Sequence, residues 1–233
     1  MRVLSLLARA VLIVGTLAGS ARAQNPAPAP GAPQQPAAPM TFFISSAGKG
    51  DGANYGGLAG ADAWCAQLAA ASGAVAVPGR TWHAYLSAVG PDGKPINARD
   101  RIGAGPWHNA KGAMMAANVA DLHGDIIKDR NQINKMNAIN EKGAMLNGAG
   151  DTPNVHDILT GSDTEGRALP GTFDTTCNNW TSNAATGSAQ VGHHDRTGGG
   201  STSWNSAHPS RGCGQQNLVS TGGAGLLYCF AAN

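Results

Sequence analysis

Between Cys177 and Cys213 the chain concentrates side chains able to do chemistry: Gly192-His193-His194-Asp195-Arg196, then Ser203-Trp204-Asn205-Ser206-Ala207-His208. His193, His194, Asp195 and His208 are nitrogen and oxygen donors of the kind that hold zinc and related transition metals. Neighbouring side chains on an extended backbone point to opposite sides, so His193 and His194 are not expected to share one ion. None of the spacings is typical of a zinc site, which favours a hydrogen-bonded loop cluster and leaves metal binding open. Asp195-Arg196 reads equally as a local ion pair. Trp204 and Asn205 complete the candidate ligand-binding set. An indole can stack on a sugar ring or anchor a core, and in a chain with 5% aromatic residues the core use takes precedence.

No nucleophile elbow, H-E-x-x-H or paired-carboxylate pattern accompanies these residues, so no catalytic residue is assigned and no cofactor is expected. A metal-dependent hydrolase using the His/Asp cluster is the enzymatic alternative. Charge excludes another class. The 16 basic and 14 acidic residues include Arg2, Arg9 and Arg22, whose loss with a leader leaves 13 basic residues and a net charge of about −1. A nucleic-acid binder is normally basic, and no dense Lys/Arg cluster is present.

The leader itself is legible. Met1-Arg2 and Arg9 form a positive n-region, Ala10 to Leu17 an apolar stretch, and Ala21-Arg22-Ala23 an A-x-A cleavage site, so residues 1–23 read as a signal peptide. The apolar stretch is too short to span a membrane, and a secreted or periplasmic location follows. Gln24 to Met40 is a Pro/Ala tract suited to a semi-rigid spacer. Residues 41–233 then form one domain. Its four cysteines, Cys65, Cys177, Cys213 and Cys229, make an even set suited to two disulfides, with three connectivities open.

Within that domain the elements that must position the candidate residues are short. Thr41 to Ser45 is β-branched and aromatic and reads as a strand. Gly60 to Ser72 places Ala61, Trp64, Cys65, Leu68 and Ala69 on one helical face, with Gly73 as a stop. Thr81 to Ser87 alternates, with Trp82, Ala84 and Leu86 on one side and His83 and Tyr85 on the other. Lys111 to His123 predicts a second helix burying Met115, Val119 and Leu122. Asp129 to Asp151 reads as an insertion or long loop around a possible strand at Ala144 to Leu146. Turn formers fill Thr160 to Arg167, followed by Cys177 and Trp180 as anchors, and Gly225 to Phe230 is a terminal strand.

In this order the motifs resemble the endostatin domain of certain collagens and bacterial secreted lectin-like domains of the same fold. The residues that carry the resemblance are GADAWCAQLAAASG (60–73), RTWHAYLS (80–87), the G-S-D-x-x-G-R turn (161–167) followed by C-x-x-W-x-S (177–182), and LLYCF (226–230). The resemblance implies an α+β, C-type lectin-like fold: a twisted, mainly antiparallel mixed sheet with two helices and long loops. It also implies the pairs Cys65-Cys229 and Cys177-Cys213, each contributing roughly 3 to 5 kcal/mol in the chain-entropy model. Calcium-dependent C-type lectins carry W-N-D late in the fold. Here the triplet is Trp204-Asn205-Ser206, which lacks the acid a hard cation needs. The expected function is therefore a secreted or periplasmic recognition module that binds a glycan or envelope component without such a calcium site. A structural envelope protein that binds another protein is the alternative.

Overall fold

The last strand organises the molecule. Gly223 to Ala231 is a near-continuous apolar run, the pattern of a strand covered on both faces. In the computed structural model, which describes residues 38–73, 76–125, 131–171, 173–198 and 201–232, it is a buried nine-residue strand. The expected signal peptide and the spacer as far as residue 37 lie outside the described residues.

In chain order the strands are β1 (Phe42–Ile44), β2 (Trp82–Ala84), β3 (Ala88–Val89), β4 (Pro95–Ile96), β5 (Trp107–His108), β6 (Met114–Ala116), β7 (Asp157–Leu159), β8 (Gln190–His193), β9 (His208–Pro209) and β10 (Gly223–Ala231). The helices are α1 (Gly57–Ala71), α2 (Ala98–Arg101), α3 (Val119–His123), α4 (Cys177–Trp180) and α5 (Gln215–Thr221). The main sheet runs β1-β10-β7-β8-β9, and β2 also pairs with β10. Within this sheet the β10/β7 pairing is parallel, whereas β1 and β2 on β10, β7 on β8, and β8 on β9 are antiparallel. The molecule is thus a mixed α+β structure.

Alternation along β10 divides the core in two. Leu227, Cys229 and Ala231 face one apolar cluster with Phe43, Trp82, Ala84, Leu86, Leu159 and Val191. Leu226, Tyr228 and Phe230 face the other with Phe42, Ile44, Tyr85, Trp107 and Ile158. Helix α1 covers the first cluster through Ala61, Cys65 and Ala69, one residue per turn. Its Cys65 is bonded to Cys229 of β10, and Cys177 is bonded to Cys213.

Two expectations are corrected. Lys111 to His123 is not one helix: Met114–Ala116 pairs with β5, and the helix starts only at Val119. Asn109 Oδ1 accepts the N–H groups of Lys111 and Ala113, forming a turn over positive-φ Gly112, and Asn118 Oδ1 caps the helix by accepting Asp121 N–H. Met115 and Leu122 are nevertheless buried. Residues 144–146 form no strand; Leu146 is buried and Met145 exposed.

The anchors after the 160–167 turns take an unusual form. All four residues of α4 have positive φ, from 49° to 66°, so it is a left-handed turn that costs roughly 1–2 kcal/mol per residue. The disulfide at Cys177, the Thr176 cap onto Asn179 N–H, and Trp180 Nε1 donating to Ser87 O hold it in place.

Candidate functional site

Strand pairing, rather than local spacing, assembles the site. Asp157 opens β7 and lies opposite His193 in β8, while Val191, two residues earlier on the same face of β8, lies opposite His208 in β9. Asp157, His193 and His208 therefore share one face, at the end of the first apolar cluster. His156 joins from just before β7, its ring stacked on that of His193 with centroids 4.1 Å apart and planes 13° from parallel.

The three imidazoles converge on one oxygen. Asp157 Oδ1 lies 3.2 Å from His156 Nε2, 3.3 Å from His193 Nε2 and 3.4 Å from His208 Nε2. Ligand atoms bonded at 2.0–2.1 Å to one tetrahedral metal stand about 3.3–3.4 Å apart, the separation each imidazole keeps from Asp157; His156, Asp157 and His193 also offer donors that all lie within 4.8 Å of one another, and His208 approaches Asp157 from the solvent side. None of the contacts has hydrogen-bond geometry. Both Asp157 oxygens and both His193 nitrogens are buried without a hydrogen-bond partner among the described residues, although leaving such groups unsatisfied ordinarily costs about 1–3 kcal/mol each.

The surroundings exclude water on most sides. Asp157 and His193 are 2% exposed and His156 is 6% exposed, whereas the His208 side chain is 33% exposed and marks the solvent side. Gly198 lies over the stacked rings with φ +115°; a Cβ there would stand 3.2 Å from His193 Cε1 and 3.4 Å from His156 Cε1. Burial pushes the Asp157 carboxyl up, but the imidazoles of His193 and His208 outweigh it and hold the group below the usual carboxylate range. Asp157 in turn raises the His208 imidazole above its ordinary value, against an opposing effect of burial.

Among the residues singled out from sequence, His193 and His208 meet here, whereas His194 does not. As alternation requires, its ring points away, with Nε2 3.1 Å from Asn147 O, and burial holds the imidazole below its ordinary value. Asp195 stands behind His156, its Oδ1 3.3 Å from His156 Nδ1. Burial would raise that carboxyl, but hydrogen bonds from Ala149 N–H and from Thr197 outweigh it and hold the group at about 2. Arg196 does not form the expected Asp195 pair; its Nε donates to Ile133 O and its Nη2 to Asn131 Oδ1, both at 2.6 Å. His156 and Asp157 were missed. Their signal was a polar His-Asp pair at the head of the apolar run Ile158-Leu159.

Trp204 and Asn205 lie outside the cluster. Trp204 is 4% exposed, with its ring 4.9 Å from Tyr85 and 5.2 Å from Tyr228. Asn205 Nδ2 donates to Tyr85 Oη, Asp163 O and Thr164 O, and its Oδ1 accepts from Ser203 Oγ, so its hydrogen-bonding groups are engaged internally. Both line a polar cleft of about 280 Å³ with Thr164, Glu165, Arg196 and Ser203. No protein-family model and no curated protein matches the chain.

Proposed function

We propose that this is an exported domain that binds one divalent transition metal of the zinc class through the buried group His156, Asp157 and His193, with His208 closing on it from the solvent side as a fourth ligand. One observation carries the reading: three imidazole Nε2 atoms stand at tetrahedral-edge distance from a single carboxylate oxygen that is buried without a hydrogen bond. Three nitrogens and one oxygen suit zinc and its neighbours and argue against calcium or magnesium, which take oxygen ligands.

The metal acts locally. Small zinc domains that depend on metal to fold use it as their staple, whereas here two disulfides, with sequence separations of 164 and 36, and two apolar clusters serve that purpose. What the ion adds is a tie across β7, β8 and β9 at both ends of residues 194–207. Arg196 and residues 201–205 of that segment line the polar cleft, and the cleft supports recognition of a polar ligand, a glycan or envelope component, as the work of the domain. The reading assigns no catalytic step. The leader motif and the disulfides support export, with the mature chain in the periplasm or outside the cell after cleavage near Ala23 as part of this proposal. The C-type lectin-like assignment of the fold is supported by the order of its motifs and by the helix-to-last-strand disulfide.

Metal analysis of protein purified without a histidine tag tests the metal reading. About one zinc per chain, lost in His193→Ala, is expected; a wild-type protein that retains no more metal than the variant overturns it.

A further inference from the structure

An imidazole can offer Nε2 to a metal only if its proton sits on Nδ1, and what faces Nδ1 decides the tautomer. For His156 that group is the Asp195 carboxylate, with Oδ1 3.3 Å from Nδ1. The carboxylate is itself held: Oδ2 accepts Ala149 N–H at 2.6 Å, and Oδ1 accepts Thr197 N–H at 3.1 Å. Close approach here requires glycine at 148, because a Cβ would stand 2.5 Å from Asp195 Oδ2. The same stretch of chain grips the neighbouring residues, Asn147 O meeting His194 and Ile133 O and Asn131 meeting Arg196. Residues 131–149 thus clasp residues 194–196 from outside. Charge agrees: a divalent ion, three neutral imidazoles and the Asp157 carboxylate leave one positive charge, which a second carboxylate behind His156 balances in a buried setting.

We infer that Asp195 is a positioning residue of this centre, fixing His156 in the Nδ1–H tautomer so that Nε2 faces the metal, and that the 131–149 segment is built to hold it there. This rests on the metal reading above. Carboxylate–histidine–metal arrangements of this kind typically contribute about 10–100-fold to metal affinity. Asp195→Asn keeps the shape but removes the charge and can present an amide N–H to Nδ1.

Zinc affinity by competition with a chromophoric chelator, measured on the full mature chain, should fall by about 10–100-fold in Asp195→Asn and stay at the wild-type value in Met136→Ala, which alters an exposed side chain of the 131–149 segment. An Asp195→Asn affinity equal to wild type overturns the inference, as does an equal loss in Met136→Ala, which would reflect general sensitivity of the segment. Nitrogen-15 shifts of His156 in the zinc-loaded wild type give a check independent of any variant: Nδ1 is expected to carry the proton, and an Nδ1 without one contradicts the assignment. A wild type that binds no zinc removes the metal reading itself and this inference with it, whereas tight wild-type binding with an unaffected Asp195→Asn removes this inference alone.

Discussion

Asp157 and His193 face each other directly across the β7/β8 ladder, and their Oδ1 and Nε2 atoms are 3.3 Å apart without forming a hydrogen bond. A buried carboxylate and a buried imidazole left this way are poorly satisfied by the protein alone. A cation between them would satisfy both.

Zinc is therefore expected to stabilise the folded chain by mass action. At about 100 times its dissociation constant the gain is about 2.7 kcal/mol, a rise in Tm of roughly 5–10 °C for a domain of this size. Calorimetry with zinc and then with excess chelator checks this. Because the disulfides remain, the chelated protein should still unfold cooperatively; loss of the transition on chelation would contradict the local role given to the metal.

The ligands should not be equivalent. His193 is buried and central, whereas His208 is one-third exposed on a two-residue edge strand. His193→Ala should lower zinc affinity by more than the roughly 100-fold typical of an outer partner, and His208→Ala should lower it less than His193→Ala does. Competition titration of the two variants reads the order directly, and a reversed order would place the metal elsewhere.

Trp204 packs among Tyr85, Tyr228 and His123 in the second apolar cluster. Truncating so buried an aromatic costs roughly 3–5 kcal/mol. Urea unfolding of Trp204→Ala should show that loss; a change within experimental error would return Trp204 to the surface as a stacking platform.

Stability should depend on pH through His123. Its Nδ1–H donates to Val119 O and its Nε2 accepts from Tyr85 Oη, and burial lowers its pKa to about 4. The unfolded chain, with a pKa near 6.5, then takes up a proton that the folded chain does not, so this contribution is full above pH 6.5 and lost as pH falls toward 4. It amounts to about 3 kcal/mol. Chemical denaturation at pH 7 and pH 4, with chelator present, should show a smaller pH-dependent loss in His123→Gln than in wild type; equal losses would contradict it.

The architecture was more legible in the sequence than the site. The apolar run of β10, the Ala61/Cys65/Ala69 face of α1 and the Trp82/Ala84/Leu86 alternation announce themselves because period and burial coincide. The same alternation separates His193 from His194. Asp157 and His156 escaped because the centre is assembled by pairing β7 with β8 and β8 with β9, which brings together residues with no characteristic spacing along the chain. Lys111 to His123 misled because the side chains of Asn109 and Asn118 bond backbone N–H groups and override a stripe that fits a helix equally well.

Anomalous diffraction at the zinc edge, from crystals of the mature chain grown with one equivalent of zinc, tests the central claim most directly. The account predicts one strong peak enclosed by His156 Nε2, Asp157 Oδ1, His193 Nε2 and His208 Nε2, at about 2.0–2.2 Å from each. No peak there, or a peak on surface residues only, would contradict it.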